Sequence, residues 1–143
     1  MPAPVPARAP RFSFSIDAEI RNIPVVAEGI EDFLMSAGTD PLVLPDIQLA
    51  VDEAVTNIIM HGYAGKPGTI ALTVTVDGGV VHVEIRDRAP AFNPLTIKEP
   101  DLTADLADRV VGGMGIFLIR KVMDSVEYEF ADGENVLRME KRG

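Results

Sequence analysis

Two spacings of apolar residues divide this chain. Residues 11–16 set Phe12, Phe14 and Ile16 against Arg11, Ser13 and Ser15, the period-2 pattern of a half-buried strand. As the first such stretch it is predicted to be an edge strand or to pair with a partner. From 17 to 37, Ile20, Ile23, Val26, Ile30, Phe33 and Leu34 fall at helical spacing. Asp17 is the expected N-cap and Gly38 the stop signal, while Pro24 predicts a break or a late helix start. After a turn over 39–45, the stretch 46–63 carries the apolar stripe Ile47, Val51, Ala54, Val55, Ile58 and Ile59.

Residues 62–68 are rich in helix breakers. Alternation then returns over 69–76 and 80–86, joined by Asp77, Gly78 and Gly79, a strong hairpin signal. Residues 95–111 have weak periodicity and mixed charge, and read as a mobile cover. A third helix is predicted over 116–123 and a last hairpin over 126–130 and 135–139, turning at 131–134. The order β, α, α, β, β, long loop, α, β, β predicts an α+β fold with helices on one face of a mostly antiparallel sheet.

Composition narrows this picture only at its edges. The 143 residues fit one domain with a real core, and 47% hydrophobic with 24% charged residues is ordinary globular usage. Residues 1–10, with four prolines and no apolar signal core, are expected to be a disordered tail, leaving 11–143 as the domain. No apolar run approaches a membrane span. The absence of Cys removes disulfides, thiolate zinc sites and Cys nucleophiles, and fits a reducing cytoplasm. A net charge of −9 argues against a nucleic-acid binder and suits a basic protein partner.

Three stretches carry candidate chemistry. Glu53, Asn57 and His61 recur every four residues, so they climb one side of the second helix. A surface helix would carry Lys–Glu pairs there, and Asn is a modest helix former. An Asn oxygen is a hard ligand suited to Mg²⁺, and a Glu one turn away can act as general base. Asp87, at a strand end before the proline-broken loop 88–94, can accept a hydrogen bond from an exocyclic amine such as that of adenine. Gly112, Gly113 and Gly115 precede a helix whose free N–H groups and positive dipole end suit a phosphate. They fit neither the P-loop spacing nor the dinucleotide-binding one.

Glu53, Ala54, Val55, Thr56 and Asn57, with His61, Gly62 and Tyr63, resemble the N box of the GHKL (Bergerat-fold) ATPase/kinase superfamily. Residues 87–94, Asp-Arg-Ala-Pro-Ala-Phe-Asn-Pro, look like its first glycine box, and 112–115, Gly-Gly-Met-Gly, like its second. The small stand-alone format, with Met123, Asp124, Ser125 and Val126, is similar to anti-sigma-factor serine/threonine kinases of the RsbW/SpoIIAB type.

The resemblance implies a two-layer α/β sandwich, ATP and Mg²⁺ as cofactors, a lid near 95–112, a homodimer and a partner-switching role. In that role the protein binds a sigma factor or phosphorylates a STAS-type anti-anti-sigma protein. Carried over by position, Glu53 would be the catalytic base and Asn57 the Mg²⁺ ligand. Asp87 would read adenine, and Gly113 and Gly115 would bind phosphates. Ala89, Phe92, Gly112 and Met114 complete the boxes, Arg109 is a candidate phosphate contact, and His61 ties the helix end to the lid. Ala89 departs from the family's usual Gly, and is expected to change affinity modestly rather than abolish binding if its φ stays negative. The alternative is a non-catalytic ATP-binding module that sequesters a regulator, although Glu53 and Asn57 are both intact. A hydrolase would lack a transducer domain, and a histidine kinase would need an acceptor helix and a sensor.

Overall fold

The computed structural model describes residues 9–91, 93–96 and 113–143. Residues 1–8 of the expected tail and 97–112 of the expected cover lie outside them, as do Phe92, Arg109, Gly112 and the side chain of Met114.

Five strands form one sheet: β1 (Arg11–Asp17), β2 (Thr69–Asp77), β3 (Val80–Asp87), β4 (Ser125–Ala131) and β5 (Glu134–Arg142). Their order is β1-β2-β3-β5-β4, and every neighbouring pair is antiparallel. The two hairpins turn at Gly78 and Gly79 (φ 58° and 81°) and at Asp132 and Gly133 (φ 55° and 78°). Positive φ at both central residues gives the turn twist that matches the strands, which is why Asp and Gly occupy these positions. β1 is an edge strand, as the sequence predicts.

Three helices, α1 (Ile23–Ser36), α2 (Leu44–Asn57) and α3 (Gly113–Val122), share a core with the sheet. Leu72, Val74, Val83, Ile85 and Met139 from the strands meet Ile30, Leu34, Ile47, Val51, Val55 and Ile119 from the helices, all at most 2% exposed. Each such side chain contributes roughly 1.5–3 kcal/mol through burial. The same face ends in a row running across the sheet through Ile16, Ile70, Asp87 and Asn135. Period-2 alternation therefore delivers two polar side chains to the rim of an apolar layer.

The helix ends refine the sequence reading. Pro24 gives a late start: it sits in the first turn of α1, where its missing N–H has no intrahelical partner to lose. Asp17 is not the cap of α1 but the last residue of β1, and its carbonyl accepts from Asn22 Nδ2 at 2.9 Å. A short 3₁₀ turn (Ile20–Asn22) fills the gap. Gly38 stops α1 as expected. Its φ of 78° lets its own N–H reach Met35 and the Thr39 N–H reach Leu34, the paired bonds of a Schellman cap.

α2 starts at Leu44, with Asp46 as the acid of its first turn. Beyond Asn57 the helix widens into a π turn (Ile58–Gly62), closed by Tyr63 N–H donating to Ile58 O at 2.8 Å. Such widened turns are frequent at functional sites.

Candidate functional site

α2 and α3 lie side by side on the sheet, and the polar row of α2 faces the start of α3. Glu53 is half-buried: a Cβ added to Gly115 would stand 3.0 Å from Glu53 Oε2. The absence of that carbon is what lets the first turn of α3 sit against the carboxylate. Burial, and then the neighbouring Asp52, raises the Glu53 carboxyl above its ordinary pKa. Loss of water disfavours the charged form, and a stronger proton acceptor results.

Asn57, one turn further on, lines a cleft between the two layers. The cleft holds about 540 Å³ of free space, open solvent included. Ala54 of α2, Ile58 of the π turn, Ile116 and Ile119 of α3 and Leu137 of β5 form aliphatic walls, and Asp87 and Asn135 supply polar groups. Asp87 is 6% exposed. Its Oδ1 accepts from Ala89 N–H at 2.9 Å and from Asn135 Nδ2 at 2.9 Å, and Oδ2 takes no hydrogen bond among the described residues. Burial raises the Asp87 carboxyl, and the two hydrogen bonds pull against that rise.

These features fit an adenine nucleotide. Apolar walls suit a purine ring, and a carboxylate oxygen without a hydrogen bond among the described residues suits its amine. The N-terminal turn of α3, whose first N–H groups have no partner within the helix and which carries no acidic residue, suits phosphates. Among the described residues no three His, Asp or Glu side chains come together as a metal site. Asn57 could offer its amide oxygen to a Mg²⁺ ion, whose other ligands in phosphoryl-transfer sites are usually phosphates and water.

The structure sets Asn57 and Asp87 on one cleft, Ala89 beside Asp87, and Glu53 against Gly115. Ala89 keeps φ out of the positive region and is 3% exposed. Its methyl packs opposite Gly62, where a Cβ would come within 3.3 Å of it, so a glycine on α2's extension makes room for the alanine of the loop. His61 is not brought in. The π turn breaks the four-residue row after Asn57, leaving His61 exposed and off the cleft wall.

Three groups to which motif spacing assigns no role support the site. Tyr63 Oη donates to Thr69 O at 2.7 Å and accepts from Arg88 N–H at 2.8 Å, clamping the exit of β3 next to Asp87. Arg120 Nη2 donates to Leu95 O at 2.8 Å and ties the loop after Asp87 to α3. Asn135 Nδ2 bridges Asp87 to the loop carbonyls of Ala89 and Pro90. The signal for Asn135 was available in its parity: it shares a face with Leu137 and Met139, where a strand seldom carries Asn.

A family model described as a histidine kinase-like ATPase domain matches residues 16–141. The chain is 32% identical over 109 residues to the anti-sigma F factor of Thermoanaerobacter sp. (strain X514), covering 74% of this chain and 76% of that one. It is 34% identical over 94 residues to the serine/threonine-protein kinase BtrW of Bordetella bronchiseptica, covering 65% and 66%. Against the serine-protein kinase RsbW of Listeria monocytogenes it is 29% identical over 106 residues, covering 71% and 68%. A crystal structure of the RsbU and RsbW domains of a Mycobacterium tuberculosis protein shares the fold, with a TM-score of 0.68 at 20% identity over 93% of this chain and 32% of that one. The chain belongs to the histidine kinase-like ATPase family, in the branch that holds the anti-sigma F factors and RsbW-type serine kinases.

Proposed function

We propose that the protein is an ATP-dependent serine/threonine kinase and anti-sigma factor of a partner-switching system. It holds a sigma factor, or it phosphorylates a Ser or Thr of a STAS-type anti-anti-sigma protein. In this reading residues 11–143 act as one domain, and the active form is a homodimer. The observation that carries it is the placement of Glu53: a half-buried carboxylate against the glycine start of α3, one turn from Asn57 at the cleft wall. The names of its relatives point the same way.

The chemistry follows from that placement. Asp87 Oδ2 accepts from the adenine amine, the aliphatic walls of the cleft bury the ring, and the first turn of α3 receives the phosphates. Glu53 takes the proton from the partner's Ser or Thr hydroxyl as that oxygen bonds to the γ-phosphorus. The bond from the γ-phosphorus to the β–γ bridging oxygen breaks, and ADP leaves with that oxygen. Asn57 is the residue that would hold Mg²⁺, whose charge offsets that of the phosphates.

The test uses the purified protein, Mg-ATP and each single-domain STAS protein encoded in the same genome. Intact-mass spectrometry is expected to find one added phosphate on one partner, absent with Asn57→Ala. No phosphate on any partner, with ATP still bound, would replace the kinase with a non-catalytic module.

A further inference from the structure

Asn135 stands on β5 opposite Asp87 on β3, and is 7% exposed. Its amide nitrogen lies 2.9 Å from Asp87 Oδ1, 2.9 Å from Ala89 O and 3.3 Å from Pro90 O. Its amide oxygen accepts the Tyr128 hydroxyl at 2.5 Å. A flipped amide would set oxygen against a carboxylate and two carbonyls, so the surroundings fix which end is which. Tyr128 and Asn135 both line the cleft, two residues apart in register on the paired strands β4 and β5.

This arrangement divides the Asp87 carboxylate. Oδ1 is filled by Asn135 and by the Ala89 N–H, which leaves Oδ2 as the reading atom. A carboxylate can only accept, whereas a neutral carboxyl also donates. Adenine carries an amine donor where guanine and hypoxanthine carry a carbonyl acceptor. Whatever holds Asp87 as an oriented acceptor therefore selects the base.

Resting on the reading of Asp87 given above, we infer that Asn135, locked by Tyr128, is the positioning residue that sets purine selectivity. It keeps Oδ2 of Asp87 turned to the cleft as an acceptor, and it holds the Ala89–Pro90 backbone at the same rim. The Asn135 hydrogen bond also opposes the effect of burial on that carboxyl.

The experiment is calorimetric titration of the full chain with ATP and with ITP, each with Mg²⁺, in wild type, Asn135→Leu and Tyr128→Phe. Wild type is expected to favour ATP. Asn135→Leu is expected to cut the ATP-to-ITP affinity ratio by about tenfold or more, the size of one hydrogen bond to a charged group. Tyr128→Phe, which keeps the ring and loses only the hydroxyl, shifts the ratio the same way by less. If both nucleotides weaken by one common factor, Asn135 is only a structural brace and the inference fails. If Asn135→Leu shows no cooperative thermal transition, an unchanged ratio in Tyr128→Phe overturns it. A wild type that binds ATP and ITP equally overturns the inference and leaves nucleotide binding standing, while one that binds neither overturns the nucleotide reading itself.

Discussion

Glu53 Oε2 stands 3.0 Å from the point where a methyl group on Gly115 would begin. Gly115 is helical and its φ is not positive, so an alanine there meets no backbone objection and gains up to about 1 kcal/mol of helix propensity. The atom that must yield is the far end of a flexible side chain. Gly115→Ala is therefore expected to leave thermal stability unchanged or slightly raised. The carboxylate must give way by a few tenths of an ångström, which should slow phosphate transfer by up to about tenfold, less than the roughly hundredfold that a 1 Å misplacement can cost. Transfer at the wild-type rate would show that the contact does not position Glu53 for catalysis.

Glu53→Gln separates the base from the fold. Transfer should fall by about 10²–10⁴-fold with ATP affinity kept, the usual size of a general-base contribution. The pKa of Glu53 is raised in the folded chain, so its proton is lost only above the ordinary carboxylate range, and the wild-type rate should fall off on the acid side from there. The stability effect has a definite sign. A carboxyl whose folded pKa is raised destabilises the fold as pH rises from the unfolded value through the folded one. Gln lacks that penalty, so Glu53→Gln is expected to be the more stable protein near pH 7, with the gap closing below about pH 4. Urea titrations at both pH values check this, and a Glu53→Gln less stable than wild type at neutral pH would contradict it.

Asp87→Asn tests the far end of the cleft. The asparagine oxygen can still accept from Ala89 N–H and Asn135 Nδ2, so the loop should hold and the melting temperature should not fall. The cleft-facing oxygen becomes an NH₂ group that meets the adenine amine donor to donor. ATP affinity is expected to drop by about tenfold to a hundredfold. Calorimetric titration decides, and unchanged affinity would remove Asp87 as the base reader.

How much of this was legible beforehand depends on the period of each signal. Period-2 alternation and the two Asp-Gly turns located all four strands of the hairpins, because φ > 0 at Gly78, Gly79 and Gly133 is what those turns require. Motif spacing singled out Glu53, Asn57, Asp87, Gly113 and Gly115, and of these the fold sets Asn57 and Asp87 on one cleft and Glu53 against Gly115. Spacing does not carry His61 onto the cleft wall, because a four-residue count assumes an unbroken α-helix and the π turn adds a residue after Asn57. It failed at Asp17, whose capping chemistry is equally at home at a strand end. Tyr63, Asn135 and Tyr128 act through partners 6 to 48 residues away, a separation that only the sheet register brings together.

Gly68 and Tyr63 make the last case. A Cβ on Gly68 would land inside the Tyr63 ring, although the backbone there would accept alanine. The ring must leave, and with it go the bonds from its hydroxyl to Thr69 O and from Arg88 N–H to its hydroxyl. Gly68→Ala is expected to destabilise the fold by about 1–3 kcal/mol, the range for overpacking. Tyr63→Phe, which keeps the ring and loses the hydroxyl, should cost less. ATP affinity should weaken in both, because Arg88 adjoins Asp87. Removing the ring first changes the outcome: in a Tyr63→Ala background the added methyl has nothing to strike. The Gly68→Ala effect should then shrink by about 1 kcal/mol or more, a coupling of the size seen between residues in contact. Urea titration of the four proteins of this cycle measures it. Additive effects would mean that the Tyr63 ring does not stand over Gly68 in solution, and the clamp on β3 would go with it.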